Sequence, residues 1–167
     1  MRHTLSFLVD GTTGELPRIV GLLSARGFGI ESLTMAPTHD ADVSRITIVT
    51  TGPADAIEKA AALVGKQVRV LDAVNMTGKP LIERELALID VKAVAGPARQ
   101  EVLNLASTFG AEVVDVSEEG IILEASGDWN QVNSLIELLK PMSIRSVART
   151  GTVAISSLTQ GVASGTG

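Results

Sequence analysis

Apolar residues recur at helical spacing in four stretches of the chain. Leu16, Ile19, Val20 and Leu23 stand at i, i+3, i+4 and i+7, and the spacing returns at Ile57, Ala60, Ala61 and Val64. It appears again at Val102, Leu105, Ala106 and Phe109, and at Val132, Leu135, Ile136 and Leu139. Each group falls on one stripe of a helix of about 12 residues, so four amphipathic helices are predicted, each needing a sheet to cover. Between them lie short runs rich in β-branched residues. Leu5, Phe7 and Val9 alternate along the first, and runs at 30–36, 44–50 and 68–73 complete a set, with Pro37 to Asp42 as the turn between the middle two. Runs at 85–91, 112–116, 121–125 and 144–155 repeat the succession around the last two helices.

The order βαββαβ is thus read twice. Such a unit closes into a four-stranded antiparallel sheet with two helices on one face, the ferredoxin-like arrangement. The predicted class is α+β, with two tandem ferredoxin-like modules. Thr77, Gly78, Lys79 and Pro80 interrupt the pattern, so residues 1–76 are expected to form the first domain, 77–82 a linker and 83–156 the second domain. Residues 157–167 turn to Gly, Ser, Thr and Ala without periodicity and are expected to be a disordered tail. Modules of about 75 residues bury only about 60% of their unfolded surface, which favours docking or oligomerisation.

Composition narrows the function. The 167 residues are 45% hydrophobic and 20% charged, enough apolar material for a core. The net charge of -5, without any run of Lys or Arg, lacks the electrostatic footprint of a nucleic-acid binder. No apolar stretch nears 18 residues and the start lacks a basic segment followed by a hydrophobic one, so a soluble, cytoplasmic chain is expected. With no Cys, thiolate metal sites and thiol nucleophiles drop out together.

Candidate chemistry is sparse. His3 and His39 are the only imidazoles, at the chain start and in a polar turn, and both are expected to be solvated. Asp40 and Asp42 flank the same turn as turn formers, while Glu83, Glu85, Glu118 and Glu119 read as a strand edge and a hairpin turn. No catalytic residue and no metal ligand is expected. The stretch Gly11, Thr12, Thr13, Gly14 matches neither a phosphate loop nor a dinucleotide fingerprint, yet it follows the first strand and opens a helix at Glu15 and Leu16. The first N–H groups of a helix lack intrahelical partners and carry partial positive charge, so they can hold the carboxylate of an amino acid. A plain helix start, capped by Thr12 or Thr13 with Pro17 in the first turn, fits the same residues.

Longer motifs add a resemblance. Leu5-Ser6, Gly14, Leu16, Arg18-Ile19, Gly21-Leu22, Ser24, Arg26-Gly27-Phe28 and Ile30-Glu31-Ser32-Leu33 resemble the amino-terminal ACT domain of the small, regulatory subunit of acetolactate synthase. The likeness continues through Ala36-Pro37-Thr38, Ser44-Arg45-Ile46-Thr47-Ile48, Glu83-Arg84-Glu85-Leu86-Ala87-Leu88-Ile89, Val114-Asp115-Val116 and Ala148-Arg149-Thr150-Gly151. It implies a homodimer and a large catalytic partner that carries thiamine diphosphate, magnesium and FAD and condenses pyruvate with a second 2-oxo acid. This chain would carry no cofactor; it would activate the partner and mediate inhibition by valine or another branched-chain amino acid. Carried over, the effector site comprises Gly11, Thr12, Thr13, Gly14, Glu15 and Leu16 of one subunit with Gly29 and Ile30 of its mate.

Two departures bear on that site: the family pattern usually has Asn where this chain has Gly11 and Gly29. Losing two amide hydrogen bonds removes roughly 1–3 kcal/mol, about 10- to 100-fold in affinity, so weak valine inhibition is expected. Gly110 stands where Arg is common and Met142-Ser143 where Phe-Gly is common. The exposed turn of Thr38, His39, Asp40 and Asp42 is the candidate docking element for the large subunit. Two other classes remain: a free-standing tandem ACT sensor, and a small enzyme, which the poverty of His and the absence of Cys and Tyr disfavour.

Overall fold

The structure, a computed structural model, describes residues 1–11 and 14–158. The chain divides into two compact units, one of Met1–Ile82 with the segment from Thr152 onward, the other of Glu83–Gly151.

In the first unit the elements are β1 (Arg2–Asp10), α1 (Leu16–Ser24), β2 (Gly29–Pro37), β3 (Val43–Thr51), α2 (Ala54–Val64) and β4 (Val70–Asn75). The sheet runs β2-β3-β1-β4 with antiparallel neighbours throughout. Alternation along β1 puts Leu5, Phe7 and Val9 on the helix side, where Leu5 faces Ile48 and Phe7 faces Ile46. Onto them pack Ile19 and Leu23 of α1 and Ile57, Ala60, Ala61 and Val64 of α2. Both predicted stripes reach the core, although Val20 is only half-buried.

The opposite face of this sheet is also covered. Thr4, Ser6, Thr47 and Val49 point that way and are buried, and an Arg45 guanidinium N–H donates to Ser6 Oγ at 2.8 Å. Part of the cover is the carboxy-terminal segment. The Thr34 hydroxyl donates to the Thr152 carbonyl at 3.2 Å, Arg2 donates to Thr152 Oγ1 at 3.0 Å, and Thr152 is 1% exposed. The segment from Thr152 onward, expected in the second domain, groups with the first unit, and Thr152 is hydrogen-bonded there.

The second unit repeats the order with β5 (Leu81–Lys92), α3 (Pro97–Phe109), β6 (Glu112–Val116), β7 (Gly120–Gly127), α4 (Trp129–Leu139) and β8 (Ile144–Arg149), a 3-10 turn at Lys140–Met142 preceding β8. Its sheet runs β6-β7-β5-β8. Ala87, Ile89 and Val91 of β5, Ile121 and Leu123 of β7, Val102 and Ala106 of α3, and Val132, Leu135, Ile136 and Leu139 of α4 form its core. Asp128 caps α4 by accepting the Gln131 amide at 2.8 Å. Gly110 ends α3 in the left-handed conformation at φ 66°, which gives a physical reason for Gly there. The fold is thus two tandem ferredoxin-like modules.

Several expectations change. The run at 144–155 is two strands, β8 and β9 (Val153–Ser156), broken around Gly151 at φ 80°; β9 pairs with β5. Strand β5 already begins at Leu81, inside the expected linker, and β4 begins two residues later than the run at 68–73. His3 is not solvated: it is 1% exposed, with Nε2 3.0 Å from the Gly52 carbonyl and Nδ1 3.3 Å from Thr77 Oγ1. Glu85 is not at a strand edge but on the core face of β5, buried and ion-paired with Arg149. Of the expected tail, residues 159–167 lie outside the described residues, while Ser157 donates its amide to the Pro80 carbonyl at 3.0 Å.

Two stability changes follow. Leu135→Ala, at a fully buried position, should cost about 2–5 kcal/mol by chemical denaturation. Ser143, at φ 62°, is the one non-Gly residue with positive φ among the described residues, so Ser143→Gly should raise stability by about 0.5–1 kcal/mol in the same measurement.

Candidate functional site

The turn between β1 and α1 is anchored at both ends by backbone bonds. Asp10 N–H donates to the Arg69 carbonyl at 2.8 Å and Gly11 N–H to the Asp42 carbonyl at 2.7 Å. Gly11 adopts φ 79°, a region that Gly enters freely and that Asn tolerates best among the other residues. A Cβ at this position would lie 3.7 Å from Arg69 Nη1, so the guanidinium stands beside the turn. Thr12 and Thr13, the expected caps, lie outside the described residues.

Glu15 is the residue that precedes the first helical position of α1, and its side chain makes no capping bond. Pro17 has no N–H, so the donors left in the first turn are those of Leu16 and Arg18, for which no acceptor occurs among the described residues. The Glu15 side chain is 3% exposed; its Oε1 lies 3.4 Å from Arg18 Nη1, and its Oε2 is buried without a hydrogen-bond partner among the described residues. The sequence placed Glu15 at the helix start and in the expected effector turn; the burial of its carboxylate was not legible there.

Strand register decides which site residues meet. Asp10 is opposite Val43 and Arg2 opposite Thr51, so the Gly11 turn sits at the Val43 end of β3. Gly29 is opposite Thr51 and Ile30 opposite Thr50, at the other end. With about 3.3 Å per residue, the nine residues of β3 separate these ends by roughly 26 Å. Within one chain, Gly29 and Ile30 do not join the turn of Gly11, Gly14, Glu15 and Leu16. Gly29 itself has space, since a Cβ there would be 3.7 Å from Thr51 Oγ1.

The loop between β2 and β3 does lie beside the turn, through the Gly11–Asp42 bond. Its shape is fixed locally: the Thr38 amide donates to the Val43 carbonyl at 2.8 Å, the Asp40 amide to Thr38 Oγ1 at 3.1 Å, and the Asp42 amide to Asp40 Oδ1 at 3.0 Å. His39, Asp40 and Asp42 are exposed, and Thr38 is half-buried. Among the described residues no three His, Asp or Glu side chains gather as metal ligands, and no helix is long and apolar enough to cross a membrane.

Comparison with known proteins identifies the family of the chain. A family model described as an acetohydroxyacid synthase small subunit-like ACT domain matches residues 5–74, and one described as the small subunit of acetolactate synthase matches residues 84–158. The acetolactate synthase small subunit of Bacillus subtilis is 41% identical over 167 residues, covering 98% of this chain and 95% of the relative. That of Aquifex aeolicus is 38% identical over 154 residues, covering 92% and 80%. The crystal structure of the acetolactate synthase small subunit from Thermotoga maritima superposes with a TM-score of 0.82 at 31% identity, covering 94% of this chain and 98% of that one. With both modules matched and the ACT order present in the first, the chain belongs to the family of acetolactate synthase small subunits and is a regulatory subunit.

Proposed function

We propose that this chain activates a large catalytic subunit of acetolactate synthase and works as a homodimer whose first units bind valine or another branched-chain amino acid. In this reading the effector lies in the turn from Gly11 to Leu16, completed by Gly29 and Ile30 of the mate. The catalytic partner carries thiamine diphosphate, magnesium and FAD, and holds the chemistry of joining pyruvate to a second 2-oxo acid. The assembly acts in the cytoplasm.

The observation that carries the reading is the β1/β3 register. The two halves of the expected site stand at opposite ends of one sheet, so a single protomer offers each half without the other. A two-fold mate resolves this, and β2 is an edge strand of its sheet, with one row of main-chain groups not taken up in the sheet. The Gly11–Asp42 bond supports the regulatory half of the reading. It ties the effector turn to the loop of Thr38, His39, Asp40 and Asp42, the docking element for the large subunit, so a shift of one is felt by the other. An effector that prefers one arrangement of the pair moves the equilibrium only by that difference in affinity, typically about 1–3 kcal/mol.

Valine inhibition of the holoenzyme should be weak, and half-inhibition at tens of micromolar would refute this. Asn is the side chain that best tolerates the strained φ 79° of Gly11, and Gly29 has room, so Gly11→Asn with Gly29→Asn should tighten valine inhibition by about 10- to 100-fold, read as the shift in half-inhibiting concentration. Replacing residues 38–43 by a short Gly-Ser turn should abolish activation of the large subunit while sedimentation still finds the dimer. Undiminished activation would move the docking surface elsewhere.

A further inference from the structure

We propose that the helix-free face of the second unit's sheet is a docking surface for the large catalytic subunit, which lays a Lys or Arg side chain between Glu112 and Glu124. The proposal rests on the reading of this chain as the partner of that subunit. It adds a second contact to the loop of Thr38, His39, Asp40 and Asp42.

Alternation sets what this face carries. Ala87, Ile89 and Val91 of β5 and Leu123 and Ala125 of β7 are buried in the core under the helices, so Leu86, Leu88, Ile122 and Glu124 point the other way. Strand pairing sets Glu124 directly opposite Leu88 on one side and Glu112 of β6 on the other, while Ala148 of β8 is opposite Leu88. The four side chains form one row across the sheet. Leu88 is 39% exposed, Leu86, Ile122 and Glu124 are half-buried, and Glu112 and Ala148 are exposed. In the first unit the same face is in the opposite condition: Thr4, Ser6, Thr47 and Val49 are no more than 5% exposed, three of them polar. The second unit thus leaves aliphatic side chains in water on the face that the first unit covers, and apolar surface rimmed by polar groups marks a site of protein contact.

The two carboxylates say what the partner brings. Residues directly opposite on antiparallel strands hold their Cβ atoms about 4.5–5.5 Å apart, and like charges so placed repel. Neither Glu112 nor Glu124 has an ion pair among the described residues. Arg145 is committed elsewhere, donating to Asp90 Oδ1 through Nε at 2.9 Å and Nη2 at 2.7 Å. A cation placed between the pair turns the repulsion into charge-assisted hydrogen bonds, and Leu88 beside it receives the aliphatic stem. A partner without a cation would bury the pair unanswered, which is costly. A second copy of this chain, with its own net charge of -5, is repelled where a cationic partner is drawn in.

The test is binding of the full chain to the immobilised large subunit of the same organism, read by interferometry, with acetolactate formation and thermal melting of the free chain measured alongside. Glu112→Gln with Glu124→Gln keeps both shapes and removes both charges. It should weaken binding by about 10- to 100-fold, with the half-activating concentration rising in step. The free double variant should melt at the wild-type temperature or above, because the cross-strand repulsion is gone. Leu88→Ser should weaken binding as well, and added salt should weaken wild type more than the double variant. If the double variant binds and activates as wild type does, this face is not a docking surface and the partnership stands on its other contacts. If it binds weakly and also melts lower, the loss is structural and the proposal fails. If Leu88→Ser splits the dimer of the free chain, the face joins two copies and the proposal fails too. If wild type neither binds nor activates the large subunit at micromolar concentration, the partnership reading itself falls.

Discussion

The antiparallel register of β1 against β3 is the constraint on which the first unit turns. Because Arg2 pairs with Thr51 and Asp10 with Val43, the chain leaves β1 at the end of the sheet where β3 begins. That places Gly11 against the Asp42 carbonyl and the β2–β3 loop. It also holds Gly29, paired with Thr51, at the far end. A slip of one residue would turn Leu5, Phe7 and Val9 away from the helices, so the hydrophobic core enforces the register and, through it, the layout of the turn.

Polar groups inside the chain show where that layout is specified and where it is left open. His3 and the Glu85–Arg149 pair are buried but answered, the first by Gly52 and Thr77, the second by a charge on a neighbouring strand. Such pairings fix geometry more than they add stability, because desolvating the charges offsets much of their attraction. Glu15 is buried and half answered.

In the proposed reading, this regulatory subunit couples two surfaces. Here the candidate surfaces adjoin within one unit, joined by a single short backbone bond between Gly11 and Asp42 and braced by the bonds that shape the Thr38–Asp40 turn. Loops set on a packed sheet can change shape at small cost to the core.

By itself the sequence determined both βαββαβ units, the four helical stripes and the family, because those depend on local periodicity and on motifs contiguous in the chain. All four stripes reach a core, and β6 begins and ends where its apolar run does. Only the tertiary structure decided which end of the sheet each glycine occupies, that Thr152 is held by Arg2 and Thr34, and that His3, Glu15 and Glu85 are buried. Those outcomes depend on partners tens of residues away, up to the 150 that separate Arg2 from Thr152. A charged or polar residue looks the same along the chain whether water or another strand will meet it, so its burial becomes visible only when the strands are paired.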